Sequence, residues 1–542
     1  MIEVTPLGGL GEFGKNCLVI RASGEALVID AGISFPDESL PGVDRIAPDF
    51  SSLSGERVAG VFLTHAHEDH VGALSLLLEE IAAPVFATPF TRAMVERRIR
   101  ETGVAADLRS VGLGATVEAG PFRVRFFPVS HSVPQSAAFL VEAGGFRILH
   151  TGDFKLDDDA PPGEATSLAA LAREAGGCDL MLVDSTNAGR SGACPSERLA
   201  RAGVGLEIGR SRGRVVLTTF SSHVARLAGA AEAAAAAGRK VAVLGRSMRA
   251  VVEIAEHSGG FPAPAGQRAD RDAISGVPAG RLLVLCGGSQ GEPSSALHRL
   301  ALDEHPDLRL SPGDRVIFSA RAIPGREKAV ARAVDHLLRR GADVRLPEED
   351  GPPVHVSGHA FRDDLLAVIR AIGPRAVLPV HGERLALTRC AAVAEQAGVD
   401  RGSVFVLENG DSLLRDGEAW SVHRSARPAG AVFLDSAAGF EVEGETVRQR
   451  RLLGSEGLLV VLARVGPNGI ERVDVAARGL AADLSPLTEA VRAEVLEAFA
   501  RARTEEVRDA EWARSAIALH ARRVCRRRFG IRPLVVPIVA ES

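Results

Sequence analysis

Leu63-Thr64-His65-Ala66-His67-Glu68-Asp69-His70 decides how the rest of this chain is read. An apolar run, Val58 to Leu63, precedes it and predicts a buried strand. The residues after it, Val71-Gly72-Ala73-Leu74 through Ile81, carry apolar side chains at helical spacing. Three histidines and an aspartate therefore crowd one strand-to-helix turn. Imidazole and carboxylate suit zinc and similar divalent ions. Four donors within six residues are too many for one catalytic ion that keeps an open position. The turn reads as two ions side by side, His65 and His67 on one, Asp69 and His70 on the other.

The pattern H-x-H-x-D-H resembles that of the metallo-β-lactamase superfamily. The resemblance implies further ligands at later strand ends: one histidine, one bridging aspartate and one distant histidine. Phe126-Phe127-Pro128-Val129-Ser130-His131 offers His131, and Ile148-Leu149-His150-Thr151-Gly152-Asp153 offers Asp153. Ala376-Val377-Leu378-Pro379-Val380-His381 offers His381. Each follows an apolar run, where a strand delivers its last side chain to a cleft.

At 542 residues the chain is too long for one core and should hold two to four domains. With 46% hydrophobic and 25% charged residues it is ordinary globular sequence. No apolar run is long enough for a membrane span. Met1-Ile2-Glu3-Val4-Thr5 enters strand-like sequence directly, and six scattered cysteines show neither metal nor disulfide spacing. A reducing cytoplasm is expected. The formal charge of −5 argues weakly against a polyanion partner without excluding one, because local cationic surface decides such binding. Tyrosine is absent, so any base stacking must use Phe, His, Trp or Arg.

The opening segment predicts strands at Ile2-Thr5, Asn16-Ile20 and Ala26-Ile29, with a glycine-rich turn, Gly8 to Gly14, that suits a β-hairpin. Asp30 ends the third strand, either orienting a ligand histidine or serving as a turn carboxylate. Residues 1–200 read as one part of a sandwich. From 201 to 356, βα units at Val215-Thr219, Lys240-Leu244, Arg281-Cys286 and Arg315-Phe318 predict an inserted, mostly parallel sheet covered by helices. The Ala run at 230–237 is a plain helix signal. The sandwich resumes over 357–430, and 431–446 reads as a linker. Residues 447–542 predict a small α+β domain: strands Leu458-Val465, Arg472-Ala476 and Leu534-Val539, helices near Pro486-Ala502 and Glu505-Arg527. The fold class is thus α/β, an αββα sandwich with an inserted α/β domain and a C-terminal α+β domain.

An α/β insertion ahead of the last histidine resembles the β-CASP arrangement, and within it the chain is similar to the ribonuclease J family nearly end to end. The likeness rests on Pro6-Leu7-Gly8-Gly9-Leu10-Gly11-Glu12, Leu63 to Leu74, Thr151-Gly152-Asp153-Phe154-Lys155 and Asp184-Ser185-Thr186-Asn187. It continues in Gly288-Ser289-Gln290-Gly291-Glu292-Pro293, His355-Val356-Ser357-Gly358-His359, Pro379-Val380-His381-Gly382-Glu383 and the ending from Arg532. The resemblance implies a two-metal ribonuclease, 5′→3′ exonucleolytic and endonucleolytic, that prefers 5′-monophosphate ends in RNA maturation and decay. It implies His65, His67 and His131 on one ion, Asp69, His70 and His381 on the other, and Asp153 bridging. The ions would be zinc, with manganese as the alternative. Asp69, Asp184 and His359 form the implied catalytic set.

An RNA phosphate would be held by His355, Val356, Ser357, Gly358 and His359, where a hydroxyl and backbone N–H groups make an anion cradle. Ser222, His223 and Val224 would join them. The family usually has Asn where His223 stands, and His223 also reads as an exposed residue at a helix N-terminus. The basic run Arg522-Arg523-Val524-Cys525-Arg526-Arg527-Arg528 complements a helix dipole, touches RNA or meets a second subunit. A homodimer or dimer of dimers through the C-terminal domain is expected, and no membrane partner. A non-catalytic RNA-binding or assembly subunit, and a hydrolase of another substrate on the same fold, are the alternatives.

Overall fold

The computed structural model describes all residues except 37–39, 162, 259, 262–266, 270, 294, 324, 418, 436–439, 467–468, 481–482, 503–506, 508 and 542. The chain divides into two units: Met1–Phe35 with Ala47–Ala431, and Pro36–Ile46 with Val432–Ser542.

The first unit is built on two facing sheets. One has eight strands, with Ile2–Gly8, Cys17–Ala22, Glu25–Ile29 and Val58–Phe62 at its centre. The other has six, in the order Val377–Val380, Leu180–Asp184, Phe146–His150, Ala137–Ala143, Phe122–Pro128, Thr116–Ala119. Alternate residues of each strand point to opposite faces, so Phe126 and Leu182 turn inward while Phe127, Met181 and Val183 turn outward. The inner core joins Val4, Ile20 and Ile29 to Phe126, Phe139 and Leu378. Phe62 stacks on Phe86 at 4.7 Å and meets Phe126 and Phe139, both at 6.1 Å, across the layer. Helices Leu168–Ala175, Arg362–Ile372 and Arg384–Ala397 cover the outer face of the six-stranded sheet. The expected αββα sandwich is the fold found.

Register sets where the strands end. Phe146–His150, Leu180–Asp184 and Val377–Val380 run parallel, with His150 opposite Leu182 and Asp184 opposite Val380. Their carboxyl ends therefore leave the sheet on one edge. Glu25–Ile29 is parallel to Val58–Phe62 with Ile29 opposite Phe62, which brings Asp30 beside Leu63 and Thr64.

The insertion carries a wholly parallel five-stranded sheet, in the order Lys240–Leu244, Leu282–Cys286, Val215–Thr218, Arg315–Phe318, Asp343–Arg345. Both faces are covered, one core around Leu217, Leu283 and Ile317, the other around Val216, Val284 and Val316. The strand Asp343–Arg345 is absent from the sequence reading because three residues are too few for a period. Helix Glu197–Arg210, capped by the Ser196 hydroxyl, packs with Val224–Ala236 ahead of the expected start at 201.

In the second unit, Leu458–Gly466 is the central strand, antiparallel to Gly469–Arg478 and parallel to Leu534–Glu541. Helices Leu484–Ala500 and Ala510–Phe529 pack on it through Leu487, Val491, Ile517 and Val524. The second helix is capped at Ala510 by the Asp509 carboxylate, which accepts the N–H groups of Glu511 and Trp512; the expected start at Glu505 lies outside the described residues. Arg526, Arg527 and Arg528 occupy its last turn before Gly530, where cations complement the dipole. The stretch expected as a linker carries strand Ala431–Asp435, and Val442 and Val447 pack with Val43. Among the described residues no helix is long and apolar enough to cross a membrane.

Candidate metal centre and anion cradle

The helix expected over Val71 to Ile81 is broken into Glu68–Val71 and Leu74–Glu80. The carbonyls of Glu68, Asp69 and His70 accept the N–H groups of Ile33, Asn16 and Ala31 from the neighbouring loop. That approach is so close that a Cβ at Gly32 would lie 1.6 Å from the Asp69 carbonyl, so only glycine fits. The turn is thereby clamped with its side chains splayed into the cleft.

Three imidazoles meet first. His65 Nε2 and His131 Nε2 lie 3.0 and 3.3 Å from His67 Nδ1. Burial holds His65 and His131 well below the ordinary histidine pKa and His67 at about 4, against the raising pull of Asp153 on all three and of Asp69 on His67. All three are neutral at pH 7, so their facing nitrogens offer lone pairs. The far nitrogens are fixed: His65 Nδ1 is 3.0 Å from Thr64 Oγ1, and His131 Nδ1 donates to the Gly358 carbonyl at 2.8 Å.

A second group lies alongside. His70 Nδ1 donates to Asp30 Oδ2 at 2.7 Å, and Asp30 also accepts Thr64 N and Oγ1, both at 2.8 Å. Asp30 thus orients His70. Asp69 Oδ2 is 3.4 Å from His381 Nε2 and 3.7 Å from His70 Nε2. Here burial is outweighed by Asp153 and the other carboxylates, so His70 is raised well above its ordinary value and His381 to about 10. The pocket draws positive charge. Asp30 and His381 sit at φ 62° and 57°, left-handed backbone that non-glycine residues seldom adopt and that clusters at functional sites.

Asp153 joins the two groups. Its Oδ1 accepts from His381 Nδ1 at 2.8 Å, while Oδ2 is 3.3 Å from His70 Nε2, 3.6 Å from His65 Nε2 and 3.9 Å from His131 Nε2. Asp153 is only 3% exposed, and Oδ2 has no hydrogen-bond partner of acceptable geometry. A buried carboxylate oxygen left unpaired among imidazoles is costly unless a cation completes it. His65, His67, His131 and Asp153 form one potential cation-binding group, and Asp69, His70 and His381 another. All seven residues implied as ligands converge here, and their donor set fits divalent metal.

Beside them, Asp184 Oδ2 accepts from His359 Nδ1 at 2.8 Å. Gly358, expected in the cradle, spends its carbonyl on His131, and a Cβ there would lie 2.9 Å from that ring. Ser357 Oγ accepts Asn187 Nδ2 at 2.8 Å. His355 Nδ1 lies 3.3 Å from the Ser319 carbonyl, and burial with Arg226 nearby lowers its pKa to about 3. It is therefore neutral.

His223 is not exposed at the helix N-terminus; it is 4% exposed. Its Nε2 faces Arg226 Nη2 at 3.3 Å and Glu197 Oε2 at 3.5 Å, and burial lowers its pKa. Its Nδ1 is buried without a partner. Val224 points into the apolar core of the insertion, and Val356 is buried. Arg226 itself escaped the sequence reading. Fully buried, it holds Glu197 at 2.5 and 2.7 Å, Ser319 Oγ at 2.5 Å and the Val354 carbonyl at 3.0 Å, tying the Ser222 turn to the His355 segment. An arginine three residues after His223 inside an apolar helix stretch was the available signal.

Sandwich, parallel insertion and clustered His/Asp groups define a metallo-β-lactamase-type fold with a β-CASP insertion. The family models agree: "Metallo-beta-lactamase superfamily" matches residues 10–191, and "Ribonuclease J, beta-CASP domain" matches 212–337. "Zn-dependent metallo-hydrolase RNA specificity domain" matches 353–406, and "Ribonuclease J C-terminal domain" matches 445–542. Ribonuclease J of Thermus thermophilus is 33% identical, covering all of this chain and 95% of the relative. Ribonuclease J of Mycobacterium tuberculosis is 35% identical, covering all of this chain and 97% of the relative. A solved structure of a protein of unknown function from Enterococcus faecalis V583 aligns with TM-score 0.56 at 16% identity, covering 76% of this chain and 99% of that one, a likeness of fold. The chain belongs to the ribonuclease J family.

Proposed function

We propose that this protein is a divalent-metal-dependent ribonuclease that degrades RNA 5′→3′ from 5′-monophosphate ends and also cuts internally, in RNA maturation and decay. The observation that carries the reading is the buried, unpaired Asp153 Oδ2 set among His65, His70 and His131. His65, His67 and His131 would hold one ion and Asp69, His70 and His381 the other, with Asp153 shared between the two groups. Two zinc or manganese ions, when bound, supply Lewis acidity at the phosphodiester and lower the pKa of water.

The chain's own residues bind the RNA and move the proton. His359 gives its proton to the leaving oxygen; burial disfavours the charged ring, but Asp184 outweighs burial and raises its pKa. The Ser357 hydroxyl and the His223 ring, whose Nδ1 is buried without a partner, bind the 5′-phosphate. Each cut leaves a new 5′-phosphate that re-enters the same cradle. The protein works as a cytoplasmic homodimer or dimer of dimers through its C-terminal domain.

The test gives metal-loaded protein one RNA in 5′-monophosphate, 5′-triphosphate and circular forms. Mononucleotide release, fastest from the monophosphate, is expected, with slower internal cuts on the circle. Binding without cleavage would overturn the enzymatic reading. Equal rates on all three forms would overturn the end preference.

A further inference from the structure

The neighbours of Ser357 dictate what its hydroxyl can do. Asn187 Nδ2 donates to Ser357 Oγ at 2.8 Å, and the backbone N–H of His359 donates to the same oxygen at 3.2 Å. A hydroxyl has two lone pairs and one proton. With both lone pairs taken, only the proton remains to offer. Towards any third partner Ser357 is therefore a donor, which fits the acceptor oxygens of a phosphate and not an N–H or O–H group.

Asn187 is well placed to impose this state. It closes the loop Asp184-Ser185-Thr186-Asn187 at the end of strand Leu180–Asp184. The loop is pinned by Ser185 N to the Val380 carbonyl at 3.0 Å and by Arg190 N to the Asn187 carbonyl at 2.8 Å, and Asn187 bridges to Phe361. Its first residue orients His359 and its last orients Ser357, two residues apart on the facing segment. Resting on the cradle assigned above, we infer that Asn187 is a positioning residue that holds Ser357 as a phosphate donor and so sets the preference for 5′-monophosphate ends. It is not among the residues that cluster as potential metal ligands.

The chemistry gives two substitutions different outcomes. Asn187→Ala removes one donor and frees the hydroxyl to rotate. Asn187→Asp is nearly isosteric but has no side-chain N–H, so its carboxylate accepts a hydrogen bond from the Ser357 hydroxyl, turning it away from the phosphate, and adds negative charge. The readout is the ratio of kcat/KM on 5′-monophosphate RNA to that on the circular form, for both variants, for Ser357→Ala and for the Asn187→Ala/Ser357→Ala pair. Melting temperature and metal content confirm folding, and Asn187→Asp carries the comparison alone if Asn187→Ala fails to fold.

We expect the ratio to fall about 5-fold in Asn187→Ala, the scale of one neutral hydrogen bond, and about 10-fold or more in Asn187→Asp, the range for one to a charged group. Once Ser357 is alanine, adding Asn187→Ala should change nothing further, since the two act through one contact. Losses that multiply in the double variant would overturn the inference, as would a fall shared equally by circular RNA. If Ser357→Ala lowers the ratio and Asn187→Asp leaves it intact, the inference alone fails. If Ser357→Ala leaves the ratio intact, the cradle reading fails and the inference with it.

Discussion

Asp184 Oδ2 and His359 Nδ1 lie 2.8 Å apart, although 175 residues separate them in the chain. The carboxylate is itself held, its Oδ1 accepting Thr186 N at 2.9 Å and Thr186 Oγ1 at 2.7 Å. Burial alone would lower the His359 pKa; Asp184 reverses that and raises it. A raised pKa keeps the ring protonated further into alkali, so the acid form is lost only as pH climbs through the folded value. Asp184→Asn removes the raising charge and should move the alkaline limb of the kcat profile to lower pH. His359→Ala should cut the rate about 10²- to 10⁴-fold on linear and circular RNA alike. Unchanged profiles in Asp184→Asn would refute the general-acid role.

Ser357→Ala should behave differently. Losing one hydrogen bond to a charged phosphate costs about 1.5–3 kcal/mol, or about 10- to 150-fold in kcat/KM on 5′-monophosphate RNA. Circular RNA places no 5′ end in the cradle and should suffer less. Equal loss on both substrates would show that this segment grips the scissile phosphate or supports the fold.

Metal content is directly measurable. Elemental analysis should find two divalent ions per chain, and His67→Ala should abolish cleavage while far-ultraviolet dichroism stays unchanged. Ions that bind only the folded state stabilise it, by about 4 kcal/mol at a thousandfold excess over Kd. A chelator should therefore lower the melting temperature. Active protein with one ion or none would refute the two-ion centre.

The buried Arg226–Glu197 pair makes an acid-linked prediction. Burial alone would raise the Glu197 pKa, but Arg226 and His223 hold it well below the usual carboxylate range. A depressed pKa contributes stability that is complete above the unfolded value of about 4.3 and fades as pH falls towards the folded one. Glu197→Gln leaves the fully buried Arg226 without its counter-charge and should cost about 3–5 kcal/mol at pH 7. In urea titrations the gap between wild type and variant should narrow below pH ~4. A gap independent of pH would contradict the assignment.

Light scattering should report a dimer or dimer of dimers for the full chain at micromolar concentration. A chain ending before residue 445 should be monomeric. A monomeric full-length protein would refute assembly through the C-terminal domain.

Much of this molecule is written locally. Apolar runs ending in His, Asp or a glycine turn announced the strands Val58–Phe62, Phe146–His150 and Val377–Val380 within a few residues of their ends. The turn itself offered His65, His67, Asp69 and His70, the family resemblance added His131, Asp153 and His381, and the fold brings all seven into one cleft.

What escaped depended on distant approach. Asp30 read equally as a turn carboxylate or as a partner for a histidine; the parallel register of Glu25–Ile29 with Val58–Phe62 decided for His70. Nothing within ten residues of Gly358 indicates that its carbonyl faces His131, 227 positions away. Arg226 looked like one more arginine in an alanine-rich helix until packing enclosed it with Glu197, Ser319 and Val354. Local spacing records which face of an element is buried, because that is imposed by the geometry of the element itself. It does not record which polar group will meet a buried charge, since that partner arrives only when separate strands and helices close around it. The sequence by itself therefore determined the elements and the donor set, and tertiary packing alone decided which side chains hold those donors in place.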